Sequence, residues 1–111
     1  MVQEIQPVMV TTTVDKEEDA QAIAKMVLEK RLAACVQILP PITSLYWWEG
    51  EIASDKEYLV SMKSDRNLFN HLIDSIRAVH SYEVPEIIAT QIVEIDKDYS
   101  AWMKKELSYE Q

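Results

Sequence analysis

The sequence predicts an α+β protein built on one antiparallel sheet. Segments typical of strands and helices follow one another in the order β-α-β-β-α-β, with one more helix at the end. The region between the first two helices is rich in strand signals and contains a long hairpin. The 111 residues suit a single domain over residues 1–111. We therefore predict the split βαβ, ferredoxin-like arrangement, with a long hairpin joining the second and third strands.

The first strand and the first helix are indicated by a change of periodicity. Pro7–Val14 reads PVMVTTTV, which is short, β-branched and uncharged, and is typical of a buried strand. A helix is expected from about residue 16 to residue 31. Asp15 is its expected N-cap, and Glu18 completes the pattern of a capping box. Its predicted apolar face contains Ala20, Ile23, Ala24, Val27 and Leu28.

The next region predicts a hairpin with a bent first arm. Residues 34–39 and Ile42–Trp48 have strand character, and Pro40 and Pro41 between them cannot donate ladder hydrogen bonds. Glu49-Gly50 is the expected turn, because glycine tolerates the positive φ of a tight hairpin. The returning strand is expected over residues 57–64.

The second helix is expected to begin after Ser64 or Asp65, either of which can cap it. It should end in the segment HSYEVPE, because Pro85 forces the residue before it toward extended geometry. Its predicted apolar stripe contains Leu68, Phe69, Leu72, Ile73, Ile76 and Val79.

The last strand and helix raise the question of what covers the sheet. Residues 87–95 predict a strand, and Asp96 or Asp98 is expected to cap the final helix. If the helices cover one face, apolar residues of Pro7–Val14 and of residues 87–95 are exposed on the other. Large exposed apolar patches mark association surfaces, so we expect an oligomer.

Composition and charge exclude several classes of partner. The net charge is −8, from 11 basic and 19 acidic residues. This argues against nucleic acid and against anionic membrane surfaces, which both need clustered basic residues. With Cys35 as the one cysteine, an internal disulfide is excluded. The amino-terminal stretch lacks the pattern of a signal peptide and no apolar run is long enough to cross a membrane, so we expect a cytoplasmic protein.

Three segments resemble the CutA family, the divalent-cation tolerance proteins. RLAACVQILPPITSLYWWEGEI, from Arg31 to Ile52, resembles the central segment of the family, and HSYEVPEIIA, from His80 to Ala89, resembles its second characteristic segment. The stretch from Asp98 to Trp102 also fits. The resemblance implies a ferredoxin-like fold, a tight homotrimer, tolerance of copper and other divalent ions, and a structural similarity to PII-type signalling proteins.

His80 is the candidate metal ligand, because neutral imidazole binds copper and zinc. Glu83 and Glu86 lie close to it in the sequence and offer oxygen ligands. The alternative is a histidine that simply ends the second helix. The resemblance implies a copper site made of a cysteine and two adjacent histidines, but Thr11 and Val79 occupy two of those positions and only His80 matches. Copper or another divalent cation would therefore bind weakly, unless a trimer brings several such groups together.

Other chemistry has little support in the sequence. Cys35 is a candidate ligand or nucleophile, but its neighbours do not suggest a lowered thiol pKa, and an inert buried thiol is the favoured interpretation. The single glycine excludes phosphate-binding loops of the P-loop or dinucleotide type. We therefore predict that the protein is not an enzyme.

The stretch SLYWWEG places Tyr46, Trp47 and Trp48 side by side at the hairpin end. A nucleic-acid stacking platform needs interleaved basic residues, whereas these aromatics are followed by acidic ones. A small-molecule platform would need a supporting polar cluster, which the segment lacks. Consecutive strand residues face opposite ways, so Trp47 and Trp48 cannot both enter one core. We interpret the three aromatics as a subunit interface.

These observations leave two main hypotheses for function. The first is a cytoplasmic homotrimeric protein involved in divalent metal-ion (copper) tolerance, with weak metal binding near His80. The second is a trimeric, PII-like structural or regulatory interaction module without a metal site of its own. A third hypothesis is an enzyme that uses Cys35 or His80.

Overall fold

The computed structural model describes residues 4–111. Residues 1–3 belong to the amino-terminal stretch interpreted above as lacking a signal peptide, and they lie outside the described residues. Along the chain, a short 3₁₀ turn at Arg66–Leu68 precedes the second helix. The elements follow in the order β1 (Pro7–Val14), α1 (Glu17–Glu29), β2 (Cys35–Ile38), β3 (Ile42–Trp48), β4 (Glu51–Asp65), α2 (Phe69–Val79), β5 (Ile88–Gln91) and α3 (Lys97–Glu106).

The sheet is organised around β4, which has 15 residues. Its carboxyl-terminal part pairs with β1 on one side and with β2 on the other, and its first part pairs with β3. β5 pairs with the other side of β1, and every pairing is antiparallel. The order β2-β4-β1-β5 is that of the split βαβ arrangement. The predicted ferredoxin-like fold is confirmed, with β2 and β3 as the two parts of the bent second strand.

The core lies between one face of the sheet and the helices α1 and α2. Alternate side chains of β1 point into it, because the side chains of a strand alternate between faces. Removing this apolar area from water provides the main stabilisation of the fold. The buried residues of this cluster include Val8, Val10, Val14, Ile23, Val27, Leu32, Val60, Met62, Leu68, Leu72 and Ile76.

Helix α1 differs from its prediction at both ends. Its N-cap is Lys16, without a side-chain capping bond, so the predicted capping box of Asp15 and Glu18 is wrong. Acidic residues do occupy its first turn, as expected from the helix dipole. The helix ends at Glu29 because Arg31 adopts a left-handed conformation with φ of 56°. This turn sends Leu32 into the core, while the predicted face residue Leu28 is exposed.

The hairpin of β3 and β4 extends further than the sequence predicted. The returning strand begins at Glu51 rather than residue 57, because its first residues are held by pairing with β3 and not by burial. The turn is at Glu49-Gly50, as predicted. Both residues have positive φ, 50° for Glu49 and 80° for Gly50, which is the requirement of a type I′ hairpin turn.

Strand β5 is shorter than the predicted 87–95. It stops at Gln91, which pairs with Val8. The partner strand begins at Pro7, whose nitrogen carries no hydrogen and whose carbonyl accepts one last bond from Ile92. Residues 92–95 are therefore left outside the ladder.

The second face of the sheet is more polar than expected. The valines of β1 are in the core, and Met9, Thr11 and Thr13 alternate with them on the opposite side. Helix α3, capped by Asp96 through the amide of Tyr99, places the Tyr99 hydroxyl against Cys35. The expected apolar exposure is therefore only partly present on this face: the valines of β1 share the helix-covered side, whereas Met9 is half-buried on the open side and Ile88 of β5, paired with Thr11, is 53% exposed there.

Candidate functional site

The loop that follows α2 is anchored by the ring of His80. The Nε2 atom lies 3.0 Å from the Thr13 carbonyl oxygen and 3.1 Å from the Thr12 hydroxyl. The Nδ1 atom accepts a 3.0 Å hydrogen bond from the backbone amide of Tyr82. Because a carbonyl oxygen only accepts, this network assigns the proton of the neutral ring to Nε2. Both ring nitrogens are thus used within the subunit.

The surroundings of His80 favour the neutral ring. Burial lowers the pKa of His80 below its ordinary value and is the largest influence on it. The hydrogen bond to the Thr13 carbonyl acts in the opposite direction and raises the pKa, as do the nearby carboxylates of Asp19, Asp15 and Glu57. His80 therefore ends the second helix, as the alternative interpretation proposed, but as a neutral group.

A second anchor of the loop is the contact of Tyr82 with Glu57. The Tyr82 hydroxyl donates a 2.7 Å hydrogen bond to Oε2 of Glu57, a buried residue of β4. Burial, followed by the bond to Glu57, raises the pKa of Tyr82. The rings of His80 and Tyr82 also pack together, with centroids 4.9 Å apart. These contacts fix the loop against β1 and β4.

The loop and the hairpin enclose a cleft of about 730 Å³. Two groups of side chains predicted separately from the sequence meet there, namely the three aromatics of the hairpin and the two glutamates of the loop. The residues that line the cleft are Thr13, Ser44, Leu45, Tyr46, Trp47, Trp48, Glu57, Tyr82, Glu83, Val84 and Glu86. The sequence therefore identified five of the lining residues, although it assigned the aromatics to an interface and the glutamates to a metal site.

The structure does not gather the predicted metal ligands into one compact site. Glu83 and Glu86 are exposed on the cleft, whereas His80 lies beside it with both ring nitrogens engaged. Among residues 4–111, no group of three or more His, Cys, Asp or Glu side chains is arranged to hold a metal ion. Cys35 is half-buried next to Tyr99, and His71 is exposed on α2. Metal binding by this chain stays a prediction.

The predicted interface residues project from the hairpin. Trp47 is 73% exposed and lies opposite Ile52, which is 66% exposed, on one face of the hairpin. Trp48 and Tyr46 lie on the other face, where the Tyr46 hydroxyl bonds to the Asp55 carboxylate. The alternation predicted from the sequence is present, and neither tryptophan enters the core of the subunit.

Sequence reasoning missed the two residues that shape the base of the cleft. Neither Tyr82 nor Glu57 was identified from the sequence as a residue of the site. The pairing of Tyr82 with Glu57 spans 25 positions, and no local pattern signals such a contact.

Comparison with known proteins gives a consistent match. The family model described as CutA1 divalent ion tolerance protein matches residues 8–106. The divalent-cation tolerance protein CutA of Thermus thermophilus is 43% identical over 97 residues, which are 87% of this chain and 94% of that protein. The human protein CutA is 43% identical over 93 residues, which are 84% of this chain and 52% of that protein. The chain thus spans about half the length of the human relative.

Solved structures agree with the sequence relatives. Rice (Oryza sativa) CutA1 superposes with a TM-score of 0.92 at 35% identity, covering 96% of this chain and 97% of that one. The divalent cation tolerance protein Cut A1 from Thermus thermophilus superposes with a TM-score of 0.89 at 41% identity, covering 92% of this chain and 99% of that one. The periplasmic divalent cation tolerance protein CutA of Archaeoglobus fulgidus has a TM-score of 0.89 at 36% identity, and the match covers 92% of this chain and 99% of that one.

Proposed function

The chain belongs to the CutA1 divalent ion tolerance protein family, and on that premise we propose that it acts in divalent metal-ion tolerance as a cytoplasmic homotrimer. The observation that carries this proposal is the family match over residues 8–106. We further propose that copper or another divalent cation binds weakly at the cleft beside His80. The proposed function includes no catalytic activity.

Charge and ligand chemistry support a weak cation site. Glu83 and Glu86 present exposed carboxylates to the same cleft as Glu57. Exposed carboxylates attract divalent cations but select poorly among them. For His80 to join them, the protein hydrogen bonds at one of its two ring nitrogens must break. That cost adds to the reasons for expecting low affinity.

The hairpin and the sheet edge support the proposed homotrimer. Leu45, Trp47 and Ile52 form an exposed apolar face on the hairpin. Within residues 4–111, β3 pairs only with β4, which leaves its other edge open. Residues 92–95 form a second unpaired stretch, in which Val93 is 80% exposed. Open edges and exposed apolar residues are surfaces that proteins cover by association.

A second candidate function is a structural or regulatory interaction module without a metal site of its own. The use of both nitrogens of His80 inside the subunit favours it. So does the finding that residues 4–111 contain no group of three ligand side chains. In this case the family's link to metal tolerance would act through a protein partner.

A copper(II) titration by calorimetry separates the two candidates. It should use protein whose oligomeric mass has been measured, with His80→Ala as the variant. His71→Ala is the matched control, because His71 is an exposed histidine outside the cleft. Saturable binding at a whole-number ratio to the trimer, lost in His80→Ala and kept in His71→Ala, supports the metal role. Weak heat that does not saturate and is equal in all three proteins supports the interaction module.

The subcellular location needs its own measurement, since one structural relative is named as periplasmic. Fractionation of cells that express the full chain should place it with cytoplasmic marker proteins. Recovery with periplasmic or organellar markers would overturn that part of the proposal.

A further inference from the structure

Tyr82 occupies two of the groups that a divalent cation would need. Its backbone amide donates a 3.0 Å hydrogen bond to Nδ1 of His80, and its hydroxyl donates a 2.7 Å hydrogen bond to Oε2 of Glu57. Imidazole nitrogens and carboxylate oxygens are ligand atoms of copper and other divalent metals. One residue of the loop therefore covers an imidazole and a carboxylate at the same time.

The hydrogen bond to His80 covers the one lone pair of the neutral ring. Because Nε2 carries the ring proton toward the Thr13 carbonyl oxygen, Nδ1 is the ring atom that can bind a cation. The Tyr82 amide occupies that atom. The other tautomer would place an N–H group against this amide N–H, so an exchange of the proton between the nitrogens does not free the ring. A cation can reach His80 only after the Tyr82 amide has moved.

The hydrogen bond to Glu57 stabilises a carboxylate with little access to water. Glu57 is only 7% exposed, so its charge depends on donors from the protein. A hydroxyl that donates to a carboxylate makes a charge-assisted hydrogen bond, which is stronger than a neutral one. Within residues 4–111, no fully buried side-chain oxygen or nitrogen lacks a partner. The loop as it stands is a satisfied arrangement, with which a cation has to compete.

Both contacts move with a single residue. The rings of Tyr82 and His80 also pack together, with centroids 4.9 Å apart. Displacement of Tyr82 therefore exposes Nδ1 of His80 and Oε2 of Glu57 in one movement, and Glu83 is the next residue of the chain. These contacts join the loop to β1 and β4 and do not involve the three hairpin aromatics. They stay in place whether or not a neighbouring subunit covers the hairpin.

We propose that Tyr82 is a latch that keeps the cation site closed, and that a divalent cation binds only when the loop opens at this residue. The inference rests on the proposed function, because it concerns the regulation of the same site. The closed latch accounts for the finding that residues 4–111 contain no group of three ligand side chains arranged around one point. It also lowers the apparent affinity, by the fraction of molecules in which the loop is open.

A copper(II) titration of Tyr82→Phe by calorimetry tests the latch. The variant keeps the aromatic ring and removes the hydroxyl that bonds to Glu57, so the loop should open more readily. We expect copper to bind about fivefold more tightly than to the natural chain, which corresponds to about 1 kcal/mol for one hydrogen bond. The full chain should be titrated after its oligomeric mass has been measured.

Two further variants show where the gain comes from. Tyr109→Phe is the matched control, because it removes a tyrosine–carboxylate hydrogen bond of the same 2.7 Å length, to Asp65, outside the loop. It should leave copper binding unchanged. Addition of Glu57→Gln to Tyr82→Phe should remove the gain, since the carboxylate that the latch releases is then absent.

The outcomes separate the latch from the proposed function. Saturable binding that is equal in the natural chain and in Tyr82→Phe, or weaker in the variant, overturns the latch and leaves the metal role standing. The absence of saturable binding in every variant overturns both. Saturable binding in Tyr82→Phe alone supports the latch.

Hydrogen exchange covers the case in which Tyr82→Phe fails to fold or to assemble. In the natural chain, the Tyr82 amide should exchange faster when copper(II) is bound, because the metal takes the Nδ1 atom that this amide bonds to. Unchanged or slower exchange of that amide at saturating copper would contradict the latch.

Discussion

The Tyr82 hydroxyl lies 2.7 Å from Oε2 of Glu57 and joins the loop after α2 to the strand β4. The contact is made at the base of the hairpin, because Glu57 is paired with Ile42, the first residue of β3. This hydrogen bond therefore links the loop to the strand shared by the sheet and the hairpin, and it adds to the anchoring of the loop by His80.

Replacement of Tyr82 by phenylalanine should lower the free energy of unfolding by about 1 kcal/mol, the typical worth of one hydrogen bond that is not fully buried. The loss should depend on pH. Since burial and Glu57 raise the pKa of Tyr82 above its ordinary 10.0, the folded state of the natural chain loses stability as the pH rises past 10. Urea unfolding at pH 8 and above pH 10 should show a smaller pH dependence in Tyr82→Phe.

Tyr109→Phe is a second variant for that experiment. Tyr109 donates a 2.7 Å bond to Asp65, and burial followed by that bond raises its pKa in the same direction. Each single variant should remove part of the alkaline dependence, and the double variant should remove more than either. A dependence equal to that of the natural chain in all variants would contradict this assignment.

His80 should make the protein less stable under mildly acidic conditions. Because burial lowers the pKa of His80 in the folded state, the unfolded chain binds the additional proton first. Stability is then fully present above the ordinary value of 6.5 and falls as the pH drops through the lower folded value. Urea unfolding between pH 7.5 and 5.5 should show this decline in the natural chain and a flatter profile in His80→Gln.

His71→Gln provides the control for the acidic range. His71 is exposed on α2, and its replacement should leave the pH profile as it is in the natural chain. Equal slopes in His80→Gln and His71→Gln would show that another group, and not the buried ring, causes the acidic loss.

The assembly should depend on the two hairpin tryptophans. Trp47→Ala and Trp48→Ala each remove an exposed aromatic side chain, 73% and 56% exposed in the isolated subunit. If these surfaces are covered by neighbouring subunits, each variant should dissociate at protein concentrations at which the natural chain remains assembled. Light scattering coupled to size-exclusion chromatography measures the mass.

Trp102→Ala is the matched control for the tryptophan variants. Trp102 lies on α3 and is 41% exposed beside Tyr99, away from the hairpin. It should leave the mass unchanged. A trimer mass retained by both hairpin variants would refute the interface assignment.

The two-residue turn allows a graded test of hairpin stability. Glu49 has a positive φ, which asparagine tolerates better than glutamate, so Glu49→Asn should increase the protection of the hairpin amides. Gly50→Ala should reduce it by about 1 kcal/mol, from backbone strain alone, because no atom of residues 4–111 outside the two adjoining residues lies within 4 Å of the added methyl group. Hydrogen exchange of the β3–β4 ladder measures both changes. Equal protection in the two variants would contradict the turn assignment.

Features set by local chemistry were predictable from the sequence. Asp96 caps α3 as expected, because an acidic side chain bonds to an amide only three positions away. Asp65 bonds to the amide of Asn67, and Gly50 forms the turn. Each of these contacts spans a few residues, so the pattern of side chains contains the necessary information.

Features set by distant contacts were not predictable. Helix α1 ends early where Arg31 turns, and the Arg31 side chain bonds to Glu106, 75 positions away. Strand β5 stops at Gln91 because its partner begins at Pro7, although residues 92–95 have strand composition. The cleft depends likewise on Tyr82 reaching Glu57. In each case the local sequence was compatible with the predicted element. The contact with a residue distant in the sequence determined where the element ends or which side chains meet.

The hairpin has a consequence for how the chain tolerates change. From Ile42 to Lys56, no residue is buried within the subunit. Substitutions in this arm therefore leave the packing of the core untouched. Away from the turn at Glu49-Gly50, selection acts on them chiefly through what the arm contacts outside the subunit. A new side chain at Leu45 or Ile52 can alter the choice of neighbour without endangering the fold. The arm is the part of the molecule in which recognition can diverge while the architecture stays constant.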